Sequence, residues 1–157
     1  MRLFWITCAL TLLADQASKL SIIHLLELPA RRVVEVLPPL LTFRWGENTG
    51  INFGLFGGGG EASRWIMIAL ALAISAFVFR WVREGRTPVM QVAGGLLIGG
   101  ALGNVIDRLA YGYVADFLNM SCCGLRNPYV FNVADIGIFA GAIGLALFSG
   151  GGSRTDA

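Results

Sequence analysis

Four long apolar stretches constrain the fold of this chain more than any other feature. A helix needs about 20 mostly apolar residues to cross the hydrocarbon core of a bilayer. The stretches cover residues 3–26, 65–82, 90–106 and 129–148. Charged residues make up only 14% of the chain, against about 25% in a soluble domain. The sequence therefore predicts an all-α integral membrane protein, a four-transmembrane-helix bundle that forms a single domain over residues 1–157.

The short link between the second and third stretches predicts the orientation in the membrane. It carries Arg80, Arg83 and Arg86, and short arginine-rich loops stay in the cytoplasm. Both termini are then cytoplasmic, and the long loop at residues 27–63 lies outside. Within that loop, residues 41–46 alternate between apolar and polar side chains, which predicts a strand. We expect a small extracytoplasmic region that contains β-structure, and the pattern fits a lid and a plain connector alike.

Polar and charged residues interrupt the apolar stretches, always near their outward ends. Each ionisable residue in a span costs roughly 2.5–3.5 kcal/mol on insertion scales. Asp15 and Lys19 are four residues apart and share a helix face. Asn104, Asp107 and Arg108 share a face in the same way, and we expect the last two to form a charge network. Such groups either join helices or contact a substrate, and both interpretations stay open.

Two further aspartates, Asp116 and Asp135, have apolar neighbours and no local cation. We expect them at the outward ends of adjacent helices, with Asn132 on the same face as Asp135. Two carboxyls in one low-dielectric site cannot both ionise easily, so one keeps its proton. One can then act as a general base and the other as a general acid. The pair is thus a candidate catalytic dyad.

Two other functional classes compete with a protease. An ion-coupled transporter also uses carboxylates in its spans, although it tends to place them near the midplane of repeated halves. Here the carboxylates cluster at one end, and the sequence has no internal repeat. A membrane scaffold explains the pairing of Asp15 with Lys19, but not Asp116 and Asp135. An Asp→Asn change separates the classes, because a scaffold loses assembly whereas an enzyme loses turnover.

Few residues favour metal or nucleic-acid chemistry. Cys8, Cys122 and Cys123 lack a metal-binding spacing, and nothing near His24, the one histidine, suggests a zinc site or a Ser/His/Asp triad. No basic cluster with interleaved aromatic residues suggests nucleic acid. Cys122 and Cys123 would face the oxidising side of the membrane. Two free thiols and a disulfide are both compatible with the sequence there.

Five segments, in order, resemble the five sequence blocks of bacterial lipoprotein signal peptidase, also called signal peptidase II. They are Asp15–Lys19, Asn48–Phe53, Gly99–Arg108, Val114–Phe117 and Phe131–Asp135. Their order and spacing match over residues 15–140. The second block usually reads Asn-x-Gly-Ala-x-Phe, whereas Ile51 and Asn52 follow Gly50 here. This departure affects the detail of that loop's substrate contacts.

The resemblance implies an aspartic endopeptidase, a hydrolase of the bacterial cytoplasmic (inner) membrane with its active site toward the extracytoplasmic face. It implies removal of the signal peptide from diacylglyceryl-modified prolipoproteins, just before the lipidated cysteine. Asp116 and Asp135 become the catalytic dyad. The resemblance gives supporting or substrate-contacting roles to Asn48, Gly50, Asn104, Arg108, Asn132 and Ala134, and more structural roles to Asp15, Lys19 and Asp107. It implies no metal or cofactor, and inhibition by globomycin. The expected partners are prolipoproteins and membrane lipid but no nucleic acid, and we expect a monomer.

Overall fold

The computed structural model describes residues 1–50, 60–85, 87–122 and 127–148. Its elements are α1 (Arg2–Leu20), which continues as a π-helical turn (Ser21–Leu25), α2 (Leu28–Arg31), β1 (Val33–Leu37), β2 (Leu41–Asn48), α3 (Gly60–Gly85), α4 (Pro88–Tyr111), β3 (Val114–Met120) and α5 (Val133–Phe148). The mostly helical fold that the sequence predicts is confirmed, with one small sheet.

Three helical segments of the described chain are long and apolar enough to cross a membrane. They are Arg2–Leu25, Glu61–Gly85 and Pro88–Tyr111. The fourth, Val133–Phe148, is apolar but shorter, with 16 residues. The predicted count of four spans therefore stays a prediction, as do the cytoplasmic positions of both termini.

Helix α4 begins at a proline and ends at a glycine. The Thr87 hydroxyl accepts a hydrogen bond from the backbone N–H of Met90 at 3.2 Å, while Pro88 occupies the first turn, where an N–H has no helical partner. At the other end, Gly112 has a φ of 85°, a left-handed conformation that glycine tolerates. The helix thus continues past the predicted limit at residue 106.

Helix α4 lies at the centre of the helical bundle. In the most apolar 18 residues of α4, 72% of the residues are buried. The corresponding shares are 28% for Arg2–Leu25 and 22% for Glu61–Gly85. A side-chain carbon on Gly99 would collide with the carbonyl oxygen of Cys8 in α1, and one on Gly100 with that of Ala134 in α5. Two neighbouring glycines thus let α4 contact two helices at backbone distance, as small residues do in membrane spans.

The sheet has three antiparallel strands in the order β1-β2-β3. The strand predicted at residues 41–46 is confirmed as β2, which extends to Asn48. The sequence analysis did not predict β1 or β3. Gly46 of β2 lies opposite Asp116 of β3, and Asn48 lies opposite Val114. The sheet therefore brings the second and fourth sequence blocks side by side.

One face of the sheet packs onto the end of the first helix. Trp45 of β2 and Phe117 of β3 are buried with Ile22 of the π-helical turn and Leu28 of α2. Because α4 leads directly into β3, the sheet lies at the end of the bundle where α1 and α4 finish and α5 starts.

The chain reaches α5 through an extended segment, although the sequence analysis predicted helix from residue 129. The carbonyl of Phe131 accepts hydrogen bonds from the backbone N–H groups of Phe117 and Leu118, at 3.0 and 2.8 Å. Pairing with β3 thus overrides the apolar pattern, and it places Asn132 beside the strand that carries Asp116.

Some residues used in the sequence analysis lie outside the described ranges. These are Ile51, Asn52, Phe53, Arg86 and Cys123. The question of a lid at residues 27–63 and that of a disulfide at the vicinal cysteines therefore stay open.

Candidate active site

The structure brings Asp116 and Asp135 to one place from two different elements. Asp135 lies in the first turn of α5 and is partly exposed. Asp116 lies on β3 and is only 2% exposed. The expectation that both stand at helix ends is wrong for Asp116, because the apolar residues around it pair with β2 as a strand.

Asn132 and Asp135 cap the start of α5 reciprocally. The Asn132 side-chain oxygen accepts a hydrogen bond from the backbone N–H of Asp135 at 2.9 Å. The Oδ2 atom of Asp135 accepts one from the backbone N–H of Asn132 at 3.2 Å. This is the geometry of a capping box, and it fixes the direction of the Asp135 carboxyl.

Two asparagine side chains connect the aspartates. The Nδ2 group of Asn132 donates to Oδ1 of Asp116 at 2.6 Å and to Oδ1 of Asn104 at 3.2 Å. The Nδ2 group of Asn104 donates to Oδ1 of Asp135 at 2.9 Å. Asn104 comes from α4 and Asn132 from the segment before α5, so the site joins three elements.

A third asparagine reaches Asp116 from β2. The Nδ2 group of Asn48 donates to Oδ2 of Asp116 at 3.1 Å. Its side-chain oxygen accepts a hydrogen bond from the backbone N–H of Gly50 at 3.0 Å. Gly50 has a φ of 89°, a conformation that most other residues adopt only with strain. The second sequence block therefore contributes one donor and the turn that orients it.

The environment of Asp116 favours its protonated form. Burial, and next the negative charge of Asp135, raise its pKa to about 6. Hydrogen bonds from Asn48 and Asn132, and the positive charge of Lys19, act in the opposite direction. The expectation that Asp116 has no cation nearby is therefore true of the local sequence only, because the fold brings in Lys19 from α1. A carboxyl with this pKa can hold or release a proton near neutral pH.

Arg108 lies beside the aspartates on the last turns of α4. It interacts electrostatically with Asp116, Asp107 and Asp135, and its Nη1 group donates to the backbone carbonyl of Asn104 at 3.4 Å. Its Nε group is buried without a hydrogen-bond partner in the described part of the chain. The site thus holds one uncommitted guanidinium donor.

Asp107 forms a salt bridge with Lys19, at 2.7 Å, whereas its expected charge interaction with Arg108 is present without a salt bridge. Lys19 also pairs with Asp15, at 2.8 Å. Asp107 and Arg108 do not form a salt bridge with each other, because residues i and i+1 of a helix point in different directions. Asp107 therefore turns toward α1.

These two carboxylates hold the elements that carry the candidate dyad. The Oδ1 atom of Asp15 accepts a hydrogen bond from the backbone N–H of Ala134 in α5, at 2.9 Å. The Oδ2 atom of Asp107 accepts one from the backbone N–H of Ala115 in β3, at 3.1 Å. Ala134 itself is fully buried. The residues that the resemblance called structural thus touch the neighbours of Asp116 and Asp135.

Gln16 and Gly46 have places in the site that were not predicted from the sequence. The Nε2 group of Gln16 donates to carboxyl oxygens of Asp15 and Asp107, both at 3.1 Å. The sequence does contain an indication of this role, because Gln16 is a polar residue next to Asp15 in an apolar stretch. Gly46 lies where a side-chain carbon would collide with Val130, which no sequence pattern announces. Within the described ranges, no three His, Cys, Asp or Glu residues are grouped to hold a metal.

Relatives of this chain carry the name lipoprotein signal peptidase. One from Methylobacterium sp. (strain 4-46) is 41% identical over 140 residues, which cover 88% of this chain and 83% of the relative. Another, from Methylocella silvestris, is 39% identical over 153 residues, which cover 96% and 88%. A third, from Rhodopseudomonas palustris, is 43% identical over 139 residues, which cover 85% and 83%.

Solved structures of a bacterial membrane enzyme, determined by the in meso method, share this fold. One has a TM-score of 0.75 and 26% identity, and the match covers 97% of this chain and 91% of the other. A second has a TM-score of 0.78 and 25% identity, with 95% and 92% covered. The family described as Signal peptidase (SPase) II has a sequence model that matches residues 7–149. This match spans nearly the whole chain and contains every residue of the site, and the chain therefore belongs to the signal peptidase II family.

Proposed function

We propose that the protein is an aspartic endopeptidase that removes signal peptides from diacylglyceryl-modified prolipoproteins, cutting just before the lipidated cysteine. Asp116 and Asp135 are its catalytic dyad. The observation that carries the proposal is the connection of these two carboxyls through the amides of Asn104 and Asn132. A scaffold has no need to hold two acidic groups together, and membership of the signal peptidase II family supports proteolysis.

The dyad hydrolyses the peptide bond by general acid–base catalysis. The ionised carboxyl removes a proton from a water molecule, which attacks the scissile carbonyl. The protonated carboxyl donates a hydrogen bond to that carbonyl oxygen. As the tetrahedral intermediate collapses and the C–N bond breaks, the proton taken from water passes from the dyad to the leaving nitrogen. With a pKa of about 6, Asp116 can exchange a proton near neutral pH, as this mechanism requires. Asp135 is the more exposed of the two, which suits contact with the attacking water.

Arg108 is the donor that we assign to the tetrahedral intermediate. Negative charge develops on the carbonyl oxygen as water attacks, and preorganised donors stabilise it. The buried Nε group of Arg108 has no partner among the described residues, so it can donate to the oxyanion without breaking a hydrogen bond. The amides of Asn104 and Asn132 are already committed to the aspartates.

The site opens toward the extracytoplasmic face of the bacterial inner membrane. The helices α1, α3, α4 and the shorter α5 cross the membrane in alternating directions, with both termini in the cytoplasm. The short arginine-rich link after α3 supports this orientation. The ends of α1 and α4 and the start of α5 then meet outside, where water is available and where the signal helix of a prolipoprotein ends. Lipid-facing grooves of the bundle hold the diacylglyceryl chains.

A cleavage assay on purified protein tests this function. Wild-type protein in detergent is incubated with one prolipoprotein in two forms, with and without the diacylglyceryl group. We expect release of the signal peptide from the lipidated form alone, with the lipidated cysteine as the new N-terminus by mass spectrometry. Globomycin should inhibit the release, and the protein should elute as a monomer. An intact lipidated substrate, or equal cleavage of both forms, would contradict the proposal.

A further inference from the structure

Lys19 makes three polar contacts inside the protein. It is 3% exposed, and its ammonium group contacts Oδ2 of Asp15 at 2.8 Å, Oδ2 of Asp107 at 2.7 Å and Oδ1 of Asn104 at 3.2 Å. An ammonium has three N–H donors and no acceptor. Each proton can therefore be assigned to one partner, and the group is fully satisfied.

Two of these contacts explain stability, because a buried carboxylate without a cation is costly. Asp15 bonds to the backbone of α5 and Asp107 to that of β3. The third contact has no such explanation, since Asn104 is neutral and already has a donor on the same oxygen, the Nδ2 group of Asn132. It affects the direction in which the Asn104 amide points.

The amide of Asn104 has two ends with different chemistry. Its oxygen faces two donors, Lys19 and Asn132, and its NH₂ group faces Oδ1 of Asp135 at 2.9 Å. A flipped amide would point NH₂ at two donors and its oxygen at a carboxylate, which is unfavourable on both sides. The side chain of Asn132 carries an acceptor as well as a donor, whereas an ammonium can only donate. Lys19 therefore fixes the orientation.

We propose that Lys19 is a positioning residue for catalysis, which holds the Asn104 amide so that its NH₂ group donates to Asp135. The proposal rests on the proposed function, since it concerns the same dyad. Lys19 does not touch substrate or the reacting atoms. Its effect passes through Asn104, whose NH₂ group holds the Asp135 carboxyl in the direction of the attacking water. The role differs from a purely structural one, which needs only a cation between Asp15 and Asp107.

A charge-compensated variant tests this role. Lys19→Met combined with Asp15→Asn and Asp107→Asn removes the ammonium without leaving unpaired charges, and the new amide oxygens can still accept from Ala134 and Ala115. We expect a melting temperature close to that of the wild type, an unchanged KM, and a kcat lower by at least about tenfold, since small misplacements of catalytic groups cost this much or more. A wild-type kcat in a folded triple variant would overturn the proposal.

A double-mutant cycle with Asn104→Ala shows whether the effect passes through Asn104. In that background Lys19 has no amide to orient, so the triple substitution should cost little further kcat. Equal losses in both backgrounds would mean an independent structural effect and would overturn the proposal.

Lys19→Arg covers the case in which the neutral variant does not fold. Arginine keeps a cation between the two carboxylates, but its donors all lie in one plane, so they cannot follow the tetrahedral directions of the ammonium N–H groups. We expect a folded protein with a reduced kcat and again no further loss in the Asn104→Ala background. Full activity of Lys19→Arg would contradict the proposal. If wild-type protein does not cleave the lipidated substrate, the proposed function fails instead, so the two failures are distinguishable.

Discussion

Every carboxyl oxygen of Asp116 and Asp135 accepts a hydrogen bond from an amide group. Asn132 and Asn48 donate to Asp116, and the side chain of Asn104 and the backbone of Asn132 donate to Asp135. Each oxygen keeps a lone pair free for a shared proton, a water or a substrate carbonyl. At the residue scale, the asparagines therefore determine the directions in which the free lone pairs of the two carboxyls point.

Asn132 combines two tasks that substitution can separate. Serine at this position still caps α5 through its hydroxyl, but it cannot donate to Asp116 as the amide does. We expect Asn132→Ser to melt close to the wild type and to lose activity by roughly tenfold or more. Asn132→Ala should lose activity and also about 1 kcal/mol of stability with the cap. Cleavage rates and thermal melts of both variants check this, and an active Asn132→Ser would contradict it.

The pH–rate profile should report Asp116. We expect one limb of the profile near pH 6, because the pKa of Asp116 is raised to about 6 by burial and by the charge of Asp135. The hydrogen bond from Asn48 lowers that pKa, since it stabilises the ionised form. Asn48→Ala should therefore move this limb to higher pH, whether Asp116 is the acid or the base.

A control variant far from the site makes this measurement specific. Glu84→Gln removes an exposed ion pair with Arg80 near the end of α3, and it should leave both limbs unchanged. A limb that moves to lower pH in Asn48→Ala, or that does not move, would show that Asn48 does not act on Asp116.

At the element scale, α4 positions the site by contacting both α1 and α5. The glycines at 99 and 100 allow these contacts, and the polar residues of the site follow one to two turns later on the same helix. The sheet adds Asp116 and Asn48, and its packing against the π-helical turn fixes it to α1. The dyad therefore depends on how closely three helices and a strand meet.

Enlarging Gly99 should separate α1 from α4. We expect Gly99→Val to cost about 1–3 kcal/mol through overpacking against the backbone of Cys8, and activity should fall with the melting temperature. Ile106→Val is a matched control, because Ile106 lies on the same helix and is 40% exposed. Thermal melting in detergent measures both, and a Gly99→Val protein as stable as Ile106→Val would contradict the close packing.

The elements that sequence could predict are those with a clear period. The helices and β2 follow from apolar runs and from the alternation at residues 41–46. The strand β3 could not be predicted in this way, because Val114–Met120 is short and its pairing partner is far along the chain. The residues of the site were found from their polarity in apolar surroundings and from the resemblance. The pairing of Asp15 with Lys19 follows from their spacing and is confirmed, whereas the link from Lys19 to Asp107 depends on helix rotation and could not be predicted.

At the scale of the whole molecule, the polar network lies at one end of an otherwise apolar bundle. Three carboxyl-bearing elements, α1, α4 and α5, meet there beside the sheet. This asymmetry argues against an ion-coupled transporter, which tends to place its carboxylates near the midplane of the bilayer. It suits an enzyme that meets its lipidated substrate at the membrane surface.

The proposed orientation can be measured by cysteine labelling. In a background without native cysteines, Glu35→Cys in β1 and Glu84→Cys in α3 place one thiol at each end of the bundle. We expect a membrane-impermeant maleimide to label Glu35→Cys in intact spheroplasts, and Glu84→Cys only after permeabilisation. The reverse pattern would place the site on the cytoplasmic side.

The most direct test of the aspartic dyad compares wild-type protein with Asp116→Asn and Asp135→Asn on the diacylglyceryl-modified prolipoprotein. Each substitution keeps the shape of the side chain and removes its ability to exchange a proton. We predict that both variants melt as folded proteins and release no detectable signal peptide, while the wild type cleaves. Cleavage by either folded variant at a rate near that of the wild type would contradict catalysis by Asp116 and Asp135.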